Sequence, residues 1–357
     1  MKQKRIIIIP LILIGAVFWW LSCSDNPTAP DSGNAEYRLF ALDYWGDCLL
    51  SFAVPADTII DSVRLDYYAW GVFVTPDGSR LLINNYITLQ TEVHSATDLS
   101  HIESRYQYGD YYFDGRDDYG LLYSYIDNAL HFIDPQTLAI TSSIPRQTPN
   151  GYLDTVNNIF YGASEYSGGY TDILVIDCLS QTIIDSLAVN AYLYEFLYSP
   201  RDNSIYFHSR AAVGLSLFCR YDITGDSITV ITRTADSFGS LALTPDQNGI
   251  IMTDGGNGMI GIVPDGNIWV IEVGSNDIIK LIPPFIYPNG PKFGGICLGT
   301  IRIIPEISRT YIGSNVNAGS GRSLLVVDNT SYECVNYISP YRGFYVPYLA
   351  VAKINND

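Results

Sequence analysis

One pattern recurs about every forty residues and limits the fold of this chain more than any other feature: an apolar strand that ends in an acid and runs into a turn. It reads Leu130-His131-Phe132-Ile133-Asp134-Pro135, then Ile173-Leu174-Val175-Ile176-Asp177, Phe218-Cys219-Arg220-Tyr221-Asp222, Ile268-Trp269-Val270-Ile271-Glu272 and Leu324-Leu325-Val326-Val327-Asp328. Weaker copies near Phe52 and Ser95 bring the count to seven. An acid at that position accepts backbone N–H groups of the turn and closes a hairpin to the next strand. A second marker precedes the first: an apolar run, a turn rich in Pro, Asp, Gly and Asn, and another apolar run. Examples are Phe73-Val74-Thr75-Pro76-Asp77-Gly78-Ser79-Arg80-Leu81-Leu82-Ile83, the run from Tyr198 to Phe207 and the run from Leu243 to Met252. Their turn chemistry makes them hairpins.

Four short strands repeated at this interval predict an all-β fold, a seven-bladed β-propeller with four-stranded antiparallel blades. The innermost strands are expected to begin near residues 71, 109, 151, 194, 240, 300 and 344. From Tyr37 the chain reads as the second, third and fourth strands of a blade, and the run from Phe344 to Ile354 supplies the missing innermost strand. Pairing the two ends closes the ring and removes the open edges that invite aggregation. The Thr-Pro-Asp-Gly turn at 75–78, the strand after it and the Ile-Asp-Pro strand at 133–135 resemble the YVTN-type repeats of bacterial surface and periplasmic propellers, over most of residues 36 to 352. That resemblance implies a scaffold and specifies no function. No helical period of useful length follows residue 23. The unit between Ile278 and Ile301 carries an extra Pro-rich loop from Pro283 to Pro291.

Residues 1–22 read as a signal peptide. Lys2, Lys4 and Arg5 form a basic start, and Ile6 to Leu21 follows without a charge. The apolar run is short for a membrane span and ends in Trp20-Leu21-Ser22-Cys23, with no basic stop-transfer cluster. Leu21-Ser22-Cys23 resembles the lipobox of bacterial lipoproteins, although Trp20 stands where that family has leucine. The resemblance implies a lipid on Cys23, the new N-terminus, and two or three acyl chains hold a protein firmly on a membrane. Residues 23–35 read as a lipidated, flexible tether without core-forming side chains, and residues 36–357 as the propeller. The location expected is the bacterial cell envelope, facing the periplasm or the exterior.

Loss of residues 1–22 removes three bases and no acid, which moves the formal charge from −17 to −20. Such a surface repels nucleic acid and anionic headgroups, so the membrane is met only through the lipid. Besides Cys23, the cysteines Cys48, Cys178, Cys219, Cys297 and Cys334 are odd in number and lack CxxC spacing. They read as small buried side chains with at most one or two disulfides. His94, His101, His131 and His208 fall at different places on three units, so no zinc, haem or Ser-His-Asp constellation is expected, and no cofactor. The turn from Tyr112 to Gly120 is rich in carboxylates, but it lacks the alternating ligands of an EF-hand loop and reads as a solvated hairpin.

In a propeller the loops entering the innermost strands, and those joining second to third strands, gather on one face around the channel mouth. Here these loops are rich in aromatic residues: Tyr67, Tyr68, Trp70, Tyr106, Tyr108, Tyr192, Tyr194, Tyr341 and Tyr345, with Tyr44, Trp45, Tyr86, Tyr125, Tyr166 and Tyr170 on the partner loops. Arg105, Arg146 and Arg342 lie near the same mouth and either hold an anion or pair locally with Asp66 and Asp110. Tyrosine and tryptophan offer rigid stacking area with a polar handle. The face is therefore expected to bind a neutral or cationic protein, peptide or glycan, in a monomeric scaffold. The opposing reading packs these tyrosines between blades. A hydrolase or lyase with its site in the channel is the alternative function, and convergence of acids and histidines there would favour it.

Overall fold

The computed structural model describes residues 37–43, 47–113, 118–165, 171–189, 191–212, 215–234, 238–254, 268–282, 298–314, 324–338 and 348–353. Three strands come first: β1 (Tyr37–Asp43), β2 (Cys48–Val54) and β3 (Thr58–Arg64). Blade 1 is β4 (Ala69–Val74), β5 (Arg80–Asn85), β6 (Gln90–Ser95) and β7 (His101–Arg105). Blade 2 is β8 (Gly109–Phe113), β9 (Gly120–Ser124), β10 (Ala129–Ile133) and β11 (Ile140–Ile144). Blade 3 is β12 (Asn150–Asp154), β13 (Ile159–Glu165), β14 (Thr171–Asp177) and β15 (Thr182–Val189). Blade 4 is β16 (Phe196–Ser199), β17 (Ser204–Ala212), β18 (Leu215–Asp222) and β19 (Ser227–Thr234). Blade 5 is β20 (Phe238–Leu243), β21 (Gly249–Asp254), β22 (Ile268–Glu272) and β23 (Ile278–Ile282). Blade 6 is β24 (Leu298–Ile304), β25 (Arg309–Ser314), β26 (Leu324–Asp328) and β27 (Cys334–Ile338), with a short 3-10 turn at Pro305–Ile307. The last strand, β28 (Tyr348–Lys353), pairs with β1 and completes blade 7 in the order β28-β1-β2-β3.

The seven sheets are the expected seven antiparallel blades, closed by the two ends of the chain. The closing register runs from Tyr37 opposite Lys353 to Leu42 opposite Tyr348. β28 begins four residues after the expected Phe344. Residues 344–347 lie outside the described set. Seven apolar clusters hold the ring, one between each pair of neighbouring blades. Phe40, Leu42, Leu81 and Ile83 join blades 7 and 1, and Phe52, Tyr311, Leu324 and Leu349 join blades 6 and 7. A fully buried Leu or Phe contributes roughly 1.5–3 kcal/mol, so every blade is stabilised by both of its neighbours.

The acid-and-turn marker has the role its chemistry implied. Asp177 Oδ1 accepts the N–H groups of Leu179 and Ser180, Asp222 those of Thr224 and Gly225, and Asp328 those of Thr330 and Ser331. In the weak copy, the Ser95 hydroxyl accepts from Thr97 and Asp98 instead. All seven of these turns then place one non-glycine residue in the left-handed region: Asp57, Leu99, Leu138, Gln181, Asp226, Asn276 and Tyr332. All seven are followed by a bulge in the pairing with the fourth strand. The extra residue increases the local twist of that outer hairpin.

The turn face also carries staples between blades. Arg38 on β1 donates to the Ala96 and Thr97 carbonyls of the next blade, and Arg80, its counterpart on β5, donates to Pro135 and Gln136. Tyr311 on β25 donates to Asp57 at 2.7 Å, and Tyr206 on β17 accepts from Gly274 N–H. Second strands thus hold the next blade's outer turn at four of the seven interfaces. Gly78 is fixed by closure itself: its φ is +72°, and a Cβ there would lie 2.8 Å from the Lys353 carbonyl oxygen.

Candidate functional site

The opposite face gathers the loops that enter the innermost strands. In two blades a repeated backbone bond organises them: Tyr86 N–H donates to the Tyr68 carbonyl, and Tyr125 N–H to the Tyr108 carbonyl, each at 2.9 Å. The Asn85 side chain then accepts the next two N–H groups of its turn, and Ser124 Oγ accepts that of Ile126. A tyrosine at the head of each second-to-third-strand turn is thereby fixed beside a tyrosine of the entering loop.

Trp70 reaches this face through a bulge. β4 pairs Ala69 with Asn85 and then Val72 with Ile83, so Trp70 and Gly71 together oppose Asn84 and the strand carries one extra residue. Gly71 adopts φ +84°, which L side chains rarely take, and the bulge re-aims its neighbour. The Trp70 ring, 44% exposed, lies 5.7 Å from Tyr348 and 6.4 Å from Tyr86 between centroids. Tyr86 is an electrostatic neighbour of Tyr108, whose ring is 5.9 Å from Tyr125, and Tyr125 meets Tyr123 edge-on at 5.1 Å. An aromatic track therefore crosses the mouth face from blade 7 to blade 2.

The inner end of the track opens on charged groups. Tyr125 Oη donates to Asp110 Oδ2 at 2.6 Å. Asp110 stands on β8, Glu195 just before β16 and Arg302 on β24, so blades 2, 4 and 6 each bring one charge to the centre of the ring. Glu195 is exposed by surface area and lies within electrostatic reach of Arg302 and Asp110, as expected of a water-filled channel wall. Burial pushes its carboxyl up to about 7, against the opposing pull of Arg302 and of the Leu241 N–H that it accepts, and with a further push from Asp110. Burial brings the Arg302 guanidinium down to about 10, with Glu195 opposing. Burial also raises Asp110, opposed by the Tyr125 hydrogen bond. Chemically, the centre can hold a ligand's charged group, and a carboxyl poised near neutrality can exchange a proton.

No protein-family model matches the sequence, and comparison with curated proteins finds no match. Solved structures do share the fold. The dihydro-heme d1 dehydrogenase NirN, solved in complex with DHE, aligns with a TM-score of 0.56 at 16% identity over 88% of this chain, which spans 66% of that one. Hydrazine synthase from Kuenenia stuttgartiensis aligns with a TM-score of 0.59 at 12% identity over 86% of this chain and 98% of that one. A functionally unknown protein from Desulfotomaculum acetoxidans aligns at 0.56 and 11% identity over 90% and 99%. This chain is a seven-bladed β-propeller. At such identities the likeness shows the propeller fold alone.

The sequence-predicted residues separate into three groups. Tyr68, Trp70, Tyr106, Tyr192 and Tyr194 are exposed on the propeller's mouth face, with Tyr106 the most open at 70%. Tyr67 and Tyr108 are more enclosed: Tyr67 Oη is 3.5 Å from His94 Nε2, and Tyr108 is only 7% exposed. Arg105 pairs with Glu103, its same-face neighbour two residues away on one strand, Nη2 to Oε1 2.6 Å, rather than with Asp66 or with Asp110 on β8. Tyr341, Arg342, Tyr345, Cys23, Tyr44, Trp45, Tyr166, Tyr170, the 283–291 loop and residues 114–117 of the acidic turn lie outside the described residues.

The histidines need one amendment. His94 and His101 sit opposite each other on β6 and β7, ring centroids 5.4 Å apart, and His101 Nε2 is 3.0 Å from Glu92 Oε2. His131 pairs with Asp127, and His208 is buried beside Phe218. None of the four joins the central charges. Among the described residues, no group of three or more His, Cys, Asp and Glu could hold a metal ion, and no helix is long and apolar enough to cross a membrane. Glu195 and Arg302 were missed by sequence reasoning, since neither occupies a motif. The available signal was their place at or within an innermost strand, where an isolated charge faces the channel.

Proposed function

We propose that this chain is an extracytoplasmic, lipid-anchored β-propeller of YVTN-type repeats that holds a protein, peptide or glycan on its mouth face. The aromatic track from Tyr348 through Trp70 and Tyr86 to Tyr125 carries this reading, because all the exposed aromatic side chains among the described residues lie on that one face. Contiguous exposed rings present binding area that a monomer otherwise hides. The test is a panel of peptides and oligosaccharides titrated against the full chain in detergent, read by tryptophan fluorescence. A ligand that binds the native chain and loses tenfold or more with Trp70→Ala supports the reading. Binding that ignores Trp70 and Tyr86 substitutions overturns it.

The anchor reading rests on the basic start, the apolar run and Leu21-Ser22-Cys23. A disulfide at Cys48 supports an oxidising compartment. A thiol cannot carry both a thioether lipid and a disulfide, so lipidation of Cys23 excludes it as the partner of Cys48. Non-reducing peptide mapping of chain taken from membranes should find an acylated Cys23 peptide; a Cys23–Cys48 link excludes the anchor.

The second reading is a hydrolase or lyase, favoured by one observation, the carboxyl of Glu195 held near 7 where a proton acceptor works best. Its test is turnover of whichever ligand binds, compared in Glu195→Gln: retained binding with lost turnover would establish it.

A further inference from the structure

The charges at the channel do not cancel evenly. Arg302 is coupled electrostatically to Glu195, while Asp110 has no Lys, Arg or His nitrogen within ion-pairing distance among the described residues. Its surroundings are phenols. Tyr125 donates to Oδ2, and Tyr108, Tyr112 and Tyr125 all lie within electrostatic reach of the carboxyl. Oδ1 accepts no hydrogen bond from the described residues. The open wall is the Tyr125 ring, backed by Tyr108. A half-buried carboxylate among aromatic rings is a poor arrangement for the free protein, since burial without a counter-charge disfavours the ion.

Resting on the mouth-face reading above, we propose that Asp110, with Tyr108, Tyr112 and Tyr125, is a site for an organic ammonium group, the lysine side chain or terminal amine of a peptide laid along the aromatic track. An ammonium completes what the site lacks. It supplies the counter-charge, it donates one of its three N–H groups to Oδ1, and the ring faces and channel water meet the rest of the ion. A guanidinium fits less well, because its planar fork calls for both carboxylate oxygens and Tyr125 occupies one. A divalent metal ion would require several oxygen ligands where the site offers one free carboxylate oxygen. The chain's formal charge of −17 draws cations towards the whole molecule, and Glu195 adds a second carboxylate at the channel.

The experiment uses the full chain in detergent and three peptides of one sequence carrying lysine, trimethyllysine or norleucine at one position, with a neutral oligosaccharide series beside them, all measured by calorimetric titration. Lysine and trimethyllysine peptides are expected to bind at least tenfold more tightly than the norleucine peptide. Asp110→Asn should reduce them to the norleucine level, and Tyr125→Phe should weaken them severalfold while the thermal transition shows both variants folded. Equal affinity for lysine and norleucine, or an unchanged affinity in folded Asp110→Asn, overturns the ammonium site and leaves the mouth face standing if Trp70→Ala still weakens binding. Oligosaccharide binding without peptide binding also overturns it while sparing the mouth face. If nothing binds through Trp70, both fail.

Discussion

The two ends of the ring use their connections in opposite ways. On the turn face, short connections repeat one design: an acid that accepts turn N–H groups, a left-handed residue, a bulge, and a side chain from the preceding blade pinned to the turn. On the mouth face, the connections present seven exposed aromatic rings, Tyr68, Trp70, Tyr86, Tyr106, Tyr125, Tyr192 and Tyr194, and the described residues of the turn face present none. The exposed large side chains of the outer strands are aliphatic and mostly β-branched, such as Ile183, Ile184, Ile228 and Val230, as edge-strand propensity favours. Propensity gives no such reason for aromatic residues in loops. One end of the ring is organised to hold the fold, and the other leaves aromatic side chains exposed.

The carboxylates divide along the same line. Turn hydrogen bonds hold Asp98, Asp134, Asp246 and Asp328 below their ordinary value, whereas burial lifts Asp47, Asp110 and Glu195 above it. Asp127 shows why: although it lies on the mouth face and burial opposes the shift, hydrogen bonds from Ser124 and His131 lower it. Local hydrogen bonding sets the direction, and the two faces differ in supplying it.

The largest effect should come from opening the ring. Deleting residues 348–357 removes the strand paired with β1, and calorimetry should show the cooperative transition lost; a transition kept at its original temperature would mean that closure contributes nothing. Next, Trp70→Ala should weaken mouth-face ligands tenfold or more, about 1.4 kcal/mol, with little change in unfolding midpoint. A large midpoint drop with normal affinity would reassign Trp70 to the fold. Tyr311→Phe should do the reverse, costing about 1 kcal/mol by denaturant unfolding through loss of its bond to Asp57, and leaving binding unaltered.

Titration sharpens the contrast. A carboxyl raised on folding binds its proton in the folded chain first, so Glu195 makes stability fall as pH rises from about 4.5 to about 7. Glu195→Gln should flatten the midpoint-versus-pH curve in that window. The depressed turn acids act oppositely: their contribution is present above their ordinary value of 3.8 and is lost as pH falls below it, a loss that Glu195→Gln should leave intact. A curve unchanged by Glu195→Gln would place that carboxyl in open water. The smallest effect is expected at the outer rim, where Ile184→Thr should alter stability by no more than about 0.5 kcal/mol and leave affinity as it was.

How much was legible follows from what each feature depends on. The Asp177 and Asp328 turns, and the Thr75-Pro76-Asp77-Gly78 hairpin, could be read because their hydrogen bonds close within a few residues. Tyr68, Trp70 and Tyr106 could be placed on the mouth face because the repeat fixes which loops gather there. Tyr108 could not be distinguished from them, since burial depends on the neighbouring turn's Tyr125. The choice of Glu103 as the partner of Arg105 was not legible, because side-chain distances are not in the sequence.

The sequence by itself determined the repeat, the blade count and the closing of the ring by its two ends, because these follow from local periodicity and turn chemistry. Only the tertiary structure decided that Asp110, Glu195 and Arg302 meet at one centre. They lie on alternate blades and far apart along the chain, and their shared environment exists only once seven interfaces have packed and the ring has closed.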